Sequence, residues 1–132
     1  MNALFPLAAR TEDVIVRVSV SFLPEQSELE KDRWFWADHI RVEHCGDAPV
    51  QLLTRHWSIT DGNGRQQEVE GEGVVGEQPL IGPGESFDYV SGCPLATASG
   101  EMEGSYRMIR PDGTQFDAEI PRFPLAGPAV TG

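Results

Sequence analysis

Lysine is almost absent from this chain: Lys31 is alone, and with nine arginines it faces 21 acids, for a net charge of −11. Nucleic-acid binding draws most of its affinity from cations that neutralise phosphates, so the balance argues against nucleic acid and against an anionic membrane surface. It leaves two readings of the acidity, plain solubility or an acidic face that meets a basic partner. Cysteine is scarce too. Cys45 and Cys93 form no C-x-x-C pair; they are expected as buried thiols in a reducing compartment, with a bridge between two strands as the alternative. No apolar run approaches the ~20 residues of a membrane span. "MNALFPLAARTEDV" lacks the basic start and sustained apolar stretch of a secretory signal, so the expected location is the cytoplasm. Also missing is any stretch of helical periodicity, along with G-x-S-x-G, H-E-x-x-H and G-x-x-x-x-G-K-[ST]. Nothing therefore marks a nucleophile, a metalloprotease or a P-loop, and a non-catalytic domain is expected.

What the chain does have is a period of two. In "DVIVRVSVSF", Val14, Val16, Val18, Val20 and Phe22 alternate with Ile15, Arg17, Ser19 and Ser21, the pattern of a half-buried strand. Residues 33–44 repeat it with Trp34, Trp36, Ile40 and Val42 on one face and Asp38 interrupting them. In 50–60, Leu53, Trp57 and Ile59 are expected on one face, opposite Thr54, His56 and Ser58. "DGNG" at 61–64 is a hairpin turn, and "RPDG" at 110–113 joins arms carrying Met102, Tyr106, Met108 and Phe116, Ala118, Ile120. Pro121 and Pro124 suit an edge or a strand end. Short strands separated by turns predict an all-β antiparallel sandwich of about seven to eight strands in a single domain of 132 residues.

The segment "GEGVVG" sets Gly71, Gly73 and Gly76 at the G-x-G-x-x-G spacing of a dinucleotide fingerprint. That fingerprint works between a buried parallel strand and a helix N-terminus. Here "RQQEVE" precedes it and "EQPLIGPGE" follows, so neither neighbour is present. From Asp61 to Asp88 the charged residues are seven acids and one base, Arg65. The spacing thus reads as a glycine-rich bulge or corner, with a nest of backbone N–H groups as the alternative. Gly71, Gly73, Gly76 and Arg65 are the candidate loop for a ligand or partner. His39 and His44 lie five apart on a strand and face opposite ways; a metal would need His56 across a strand pair plus Asp38 or Glu43. Asp38 is expected at a sheet edge or paired with a base or hydroxyl.

Over the motifs Val50 to Gly64, Val69 to Pro79, Pro83-Gly84 and Tyr89 to Gly92, the chain resembles the ApaG family. Met102, Gly104, Tyr106, Phe116, Ile120, Pro121, Phe123 and Leu125 fit that family's ending, and the likeness extends over about residues 12–128. The resemblance implies an immunoglobulin- or fibronectin-type-III-like sandwich with short flexible termini. It implies a bacterial protein often encoded beside a diadenosine-tetraphosphate hydrolase and linked to cobalt tolerance and magnesium efflux. It implies an adaptor that binds a protein partner, with pyrophosphate or diadenosine-polyphosphate binding through Gly71, Gly73 and Gly76 as the alternative. "DHIRVEH" departs from the family pattern, with Asp38 and His44 replacing an aromatic residue and an asparagine. No cofactor and no resident metal are expected, and the assembly is expected to be a monomer or homodimer.

Overall fold

The computed structural model describes residues 5–127, which form nine β-strands, two single-turn 3-10 segments and no α-helix. In chain order the strands are β1 (Leu7–Thr11), β2 (Val14–Phe22), β3 (Trp34–His44), β4 (Val50–Asp61), β5 (Gln66–Glu72), β6 (Leu80–Ile81), β7 (Ser86–Leu95), β8 (Ser99–Ile109) and β9 (Gln115–Ala126). One antiparallel sheet runs β1-β2-β3-β7; the other runs β5-β4-β8-β9, with β6 pairing the first residues of β4. Their inner faces close on a single core, the two-layer arrangement that buries one side of each strand. The period-two pattern of β2 does this directly: Val14, Val16 and Val18 are fully buried, while Ile15, Arg17 and Ser19 stay partly exposed. On the inner face of the second sheet Trp57 of β4 meets Phe123 of β9 edge to face at 6.0 Å.

Two bulges break the simple alternation. Between Leu52 and Thr54 the register of β4 against β8 slips by one residue. Val50 and Leu52 point inward before it and Trp57 after it, so Leu52 fills the core and Leu53, expected there, is only half-buried. The second slip sets two residues of β9, Pro121 and Arg122, against one of β8, so that Ile120 and Phe123 both point inward. Pro121 has no N–H for a ladder, and an edge-strand bulge accommodates it.

The ordered core also begins earlier than residue 12. All five residues of β1 pair with β2, and Phe5 is buried on the outer face against His39 and Arg41, 4.7 and 4.8 Å away. Among the described residues the strands that alternation missed are β1 and the two-residue β6. The expectation of flexible termini otherwise falls on residues 1–4 and 128–132, outside the described residues. Of the two thiols, Cys93 is buried as expected, whereas Cys45 is exposed in the turn after β3 and the two are unbridged. Among the described residues no helix is long and apolar enough to cross a membrane.

Candidate functional site

The glycine segment ends β5 and turns back toward β6. Val74 and Glu77 exchange backbone hydrogen bonds at 2.8 and 2.9 Å, and Val75 and Gly76 between them both take positive φ, 43° and 82°. That is a two-residue turn of the kind that joins antiparallel ribbons, and no helix starts at Gly76. The β4 bulge anchors it. At the bulge the Leu53 carbonyl accepts from the Gly73 N–H at 2.8 Å and from Gln78 Nε2 at 2.9 Å.

Each glycine has a local reason. At Gly71 an added Cβ would lie 2.7–2.8 Å from the Arg55 guanidinium, which rests on the bare backbone there. Arg55 Nη1 donates to the carbonyls of Glu72 and Gly73 at 3.1 and 3.0 Å, so the nearest cation is spent holding the loop. At Gly73 φ is +63° and a Cβ would stand 2.1 Å from the Glu77 carbonyl oxygen, which only glycine tolerates. Gly76 needs its positive φ and touches nothing. Arg65, the fourth candidate, is not beside them. It precedes β5 while Gly73 follows it, and seven residues of strand separate them by roughly 20 Å.

The segment exposes two large apolar side chains alongside Glu72, Glu77 and Gln78. Val75 is 58% and Leu80 67% exposed. Along the five-stranded sheet runs a shallow depression of about 660 Å³ lined by Thr54, His56 and Ser105, by the acids Glu70, Glu72 and Asp117, and by Arg55 and Arg107.

The histidines disperse. His39 contacts Asp88 at 3.2 Å, His56 contacts Glu68 at 2.9 Å, and His44, fully buried, lies 3.5 Å from Asp13. Among the described residues no three His, Cys, Asp or Glu side chains are grouped to hold a metal. Asp38 is buried on β3, opposite Ser91 of the neighbouring β7, and accepts a hydrogen bond from the Ser91 hydroxyl at 2.9 Å, the hydroxyl alternative expected from sequence. Burial pushes its carboxyl up to about 6, against the opposing pull of Ser91. Burial likewise raises the nearby Cys93 thiol to about 11 and, more strongly, the hydroxyls of Tyr89 and Tyr106, which bond each other. These groups lie inside the core.

One ionic cluster has no signature in the sequence. Arg110, on the β8–β9 turn, donates to both Asp13 oxygens at 3.0 and 2.9 Å and to Glu12 at 3.0 Å, and its guanidinium lies 4.4 Å from the Phe116 ring centre. The Arg110 hydrogen bond holds the Asp13 carboxyl down to about 2. The cluster ties the β1–β2 turn to the far sheet. Its members are 97 residues apart in the chain, and no local pattern signals such a pair.

Fold and loop together define an antiparallel β-sandwich whose glycine-rich connection is a closed turn bearing exposed apolar side chains. The ApaG domain model matches residues 24–110, and the chain belongs to that family. Protein ApaG of Afipia carboxidovorans is 56% identical over 122 residues, covering 92% of this chain and 94% of that protein. Protein ApaG of Pseudomonas aeruginosa strain UCBPP-PA14 is 56% identical over 117 residues, covering 89% and 93%. A crystal structure described as the ApaA protein of Bordetella pertussis superposes with a TM-score of 0.86 at 45% identity, covering 89% of this chain and 96% of that one.

Proposed function

We propose that this domain is a non-catalytic, adaptor-type protein-binding module that docks its partner through the connection between β5 and β6. The carrying observation is Val75. A β-branched residue at φ +43° is strained, at a cost on the order of 1 kcal/mol, and Asn or Gly would fill that turn position more easily. Instead the turn presents an apolar side chain to solvent, with Leu80 exposed on the following strand. Strain spent on an outward-facing apolar group is what a contact surface requires and what stability alone does not. The cytoplasm is the compartment we assign, and the cation phenotypes implied by the family resemblance would be consequences of what the partner does.

Pyrophosphate or dinucleoside-polyphosphate binding is the weaker reading. The N–H groups of Gly73, Val74 and Glu77 already donate within the chain, and Arg55 is committed to two carbonyls. The test is a Val75→Asn/Leu80→Asn variant, which relieves strain and removes apolar surface without emptying the core. Affinity capture from lysate should lose, with the variant, a protein that the parent chain and a Val90→Asn control both retain. Equal capture by all three would remove the loop as the docking site.

A further inference from the structure

We infer that the free edge of β7 is a docking site for an extended polypeptide strand of a partner, apolar at every second residue, which pairs with β7 antiparallel. The sheet orders leave few strand edges open. β1 and β2 contact β9 on one side of the sandwich, where Thr11 Oγ1 accepts the Glu119 N–H at 3.0 Å. β5 and β7 therefore lie together on the other side, each paired along one edge alone. β5 carries Glu68, Glu70 and Glu72, the kind of charged residues that keep a strand edge from pairing. β6 is only two residues long. β7 has ten residues and no such guard. Its one charge, Asp88, is held by Arg41 at 2.9 Å, and its one proline, Pro94, stands next to its end.

The direction of the backbone groups follows from the register. The His44 N–H donates to the Glu85 carbonyl at 3.0 Å, whereas the N–H and C=O of Phe35 turn the other way, to Ser27 and Leu23. Carried along the pairing of β3 with β7, this alternation points the backbone groups of Phe87, Tyr89, Ser91 and Cys93 at β3. Those of Ser86, Asp88, Val90 and Gly92 point outward. These four residues are exposed, and among the described residues their N–H and C=O groups have no partner. The backbone of another strand completes such a row.

A strand entering beside β7 meets apolar groups on its inner side. Phe87 and Leu95 of β7, Ile59 of β4 and Val69 of β5 face the core on this open side yet are only half-buried. Ile59 and Leu95 also line a hollow of about 410 Å³, whose charged lining balances as Asp61 against Arg65. Apolar side chains turned inward at every second residue cover these groups, and charge selects neither sign. A second copy pairing through its own β7 brings no free side chains to that cleft, because its Tyr89 and Cys93 already lie in its own core. The edge shares no residue with the Val75–Leu80 connection and does not depend on it.

The probe is a short capped peptide alternating serine with valine, titrated against the isotope-labelled full chain and followed by amide shifts and hydrogen exchange. Saturable binding should protect the amides of Asp88, Val90 and Gly92 and leave those of Phe87, Tyr89 and Ser91, already bonded to β3, as they were. In antiparallel pairing the serines share the outer face with Val90, so their N–H groups face β7 and those of the valines face away. N-methylation of the serines should therefore weaken binding by about tenfold, and N-methylation of the valines by far less. Val90→Pro removes the central donor at an edge position that tolerates proline, and should weaken binding by a similar factor. Val90→Asn keeps that donor and should stay within a few-fold of the parent. The methylated peptides leave the protein unchanged and so decide the matter even if Val90→Pro does not fold. Four outcomes would each overturn the inference: no saturable shift at millimolar peptide, equal binding of the two methylated peptides, shifts confined to Val75 and Leu80, or protection of the same amides that rises with protein concentration when no peptide is present. The third would at the same time support the docking site proposed above, and the last would make a second copy the occupant.

Discussion

Replacing Gly73 by alanine should damage the protein far more than the same change at Gly76, three residues away in the same motif. At Gly73 the added methyl would meet a backbone oxygen, Glu77 O, at 2.1 Å, more than 1 Å inside normal contact. The turn must open to admit it, giving up the two Val74–Glu77 hydrogen bonds at about 0.5–1.5 kcal/mol each. Placing alanine at φ +63° costs a further ~1–2 kcal/mol, offset by roughly half a kcal/mol from the stiffer unfolded chain. The sum is about 3 kcal/mol. At Gly76 φ is +82° but nothing lies within 4 Å, so only the backbone term remains, about 1 kcal/mol. Gly71→Ala should fall between, because the atoms it displaces belong to the movable Arg55 side chain. Urea denaturation at constant slope reads the differences as midpoint shifts, and a domain of ordinary stability, roughly 5–15 kcal/mol, survives all three changes. Equal losses at Gly73 and Gly76 would refute the steric reasoning and with it the closed turn.

Other consequences follow from the buried and paired groups. Asp13 lies near 2 in the folded state, below its ordinary 3.8, so its contribution is complete above about pH 4 and fades as the pH falls toward 2. Partial exposure screens the pair, which leaves about 1 kcal/mol; the stability gap between the parent and Arg110→Gln should therefore close in acid, as urea midpoints at about pH 6 and pH 2 would record. Asp38 behaves oppositely. Raised to about 6, it favours the folded state as the pH falls from 6 toward 4, and ionised at neutral pH it costs about 2–3 kcal/mol. Asp38→Asn, which keeps an acceptor for Ser91, should raise the neutral-pH midpoint and flatten the slope between pH 4 and 6. In the native state a thiol-specific reagent should modify Cys45 alone, with Cys93 reacting only after unfolding.

Alternation of apolar and polar residues was enough to read β2, β3 and the β8–β9 hairpin, because in each the side chains of one face are buried together. It misplaced Leu53 for a reason that no count of residues supplies: a bulge is set by the partner strand, and the identity of that partner is non-local. β1 was passed over because its central alanines carry little apolar signal, and it is specified instead by five pairings with β2. The neighbours of "GEGVVG" ruled out the Rossmann geometry from sequence, but the individual glycine roles depend on Arg55 and Glu77, the first from another strand. Arg65 was grouped with the glycines by its charge and its closeness along the chain, and an extended strand carried it away. Val75 gave no signal at all, since φ is invisible in a residue name. Cys45 was expected to be buried on residue type, and the turn after β3 exposed it.

The most direct measurement is a titration of the labelled chain with inorganic pyrophosphate and with diadenosine tetraphosphate, with and without magnesium, reading the amides from Gly71 to Glu77. Because Gly73, Val74 and Glu77 already donate to carbonyls of the same chain, their resonances should stay in place at millimolar ligand. Saturable movement centred on Gly71 to Gly76 would contradict the closed turn and make the glycine spacing an anion cradle after all.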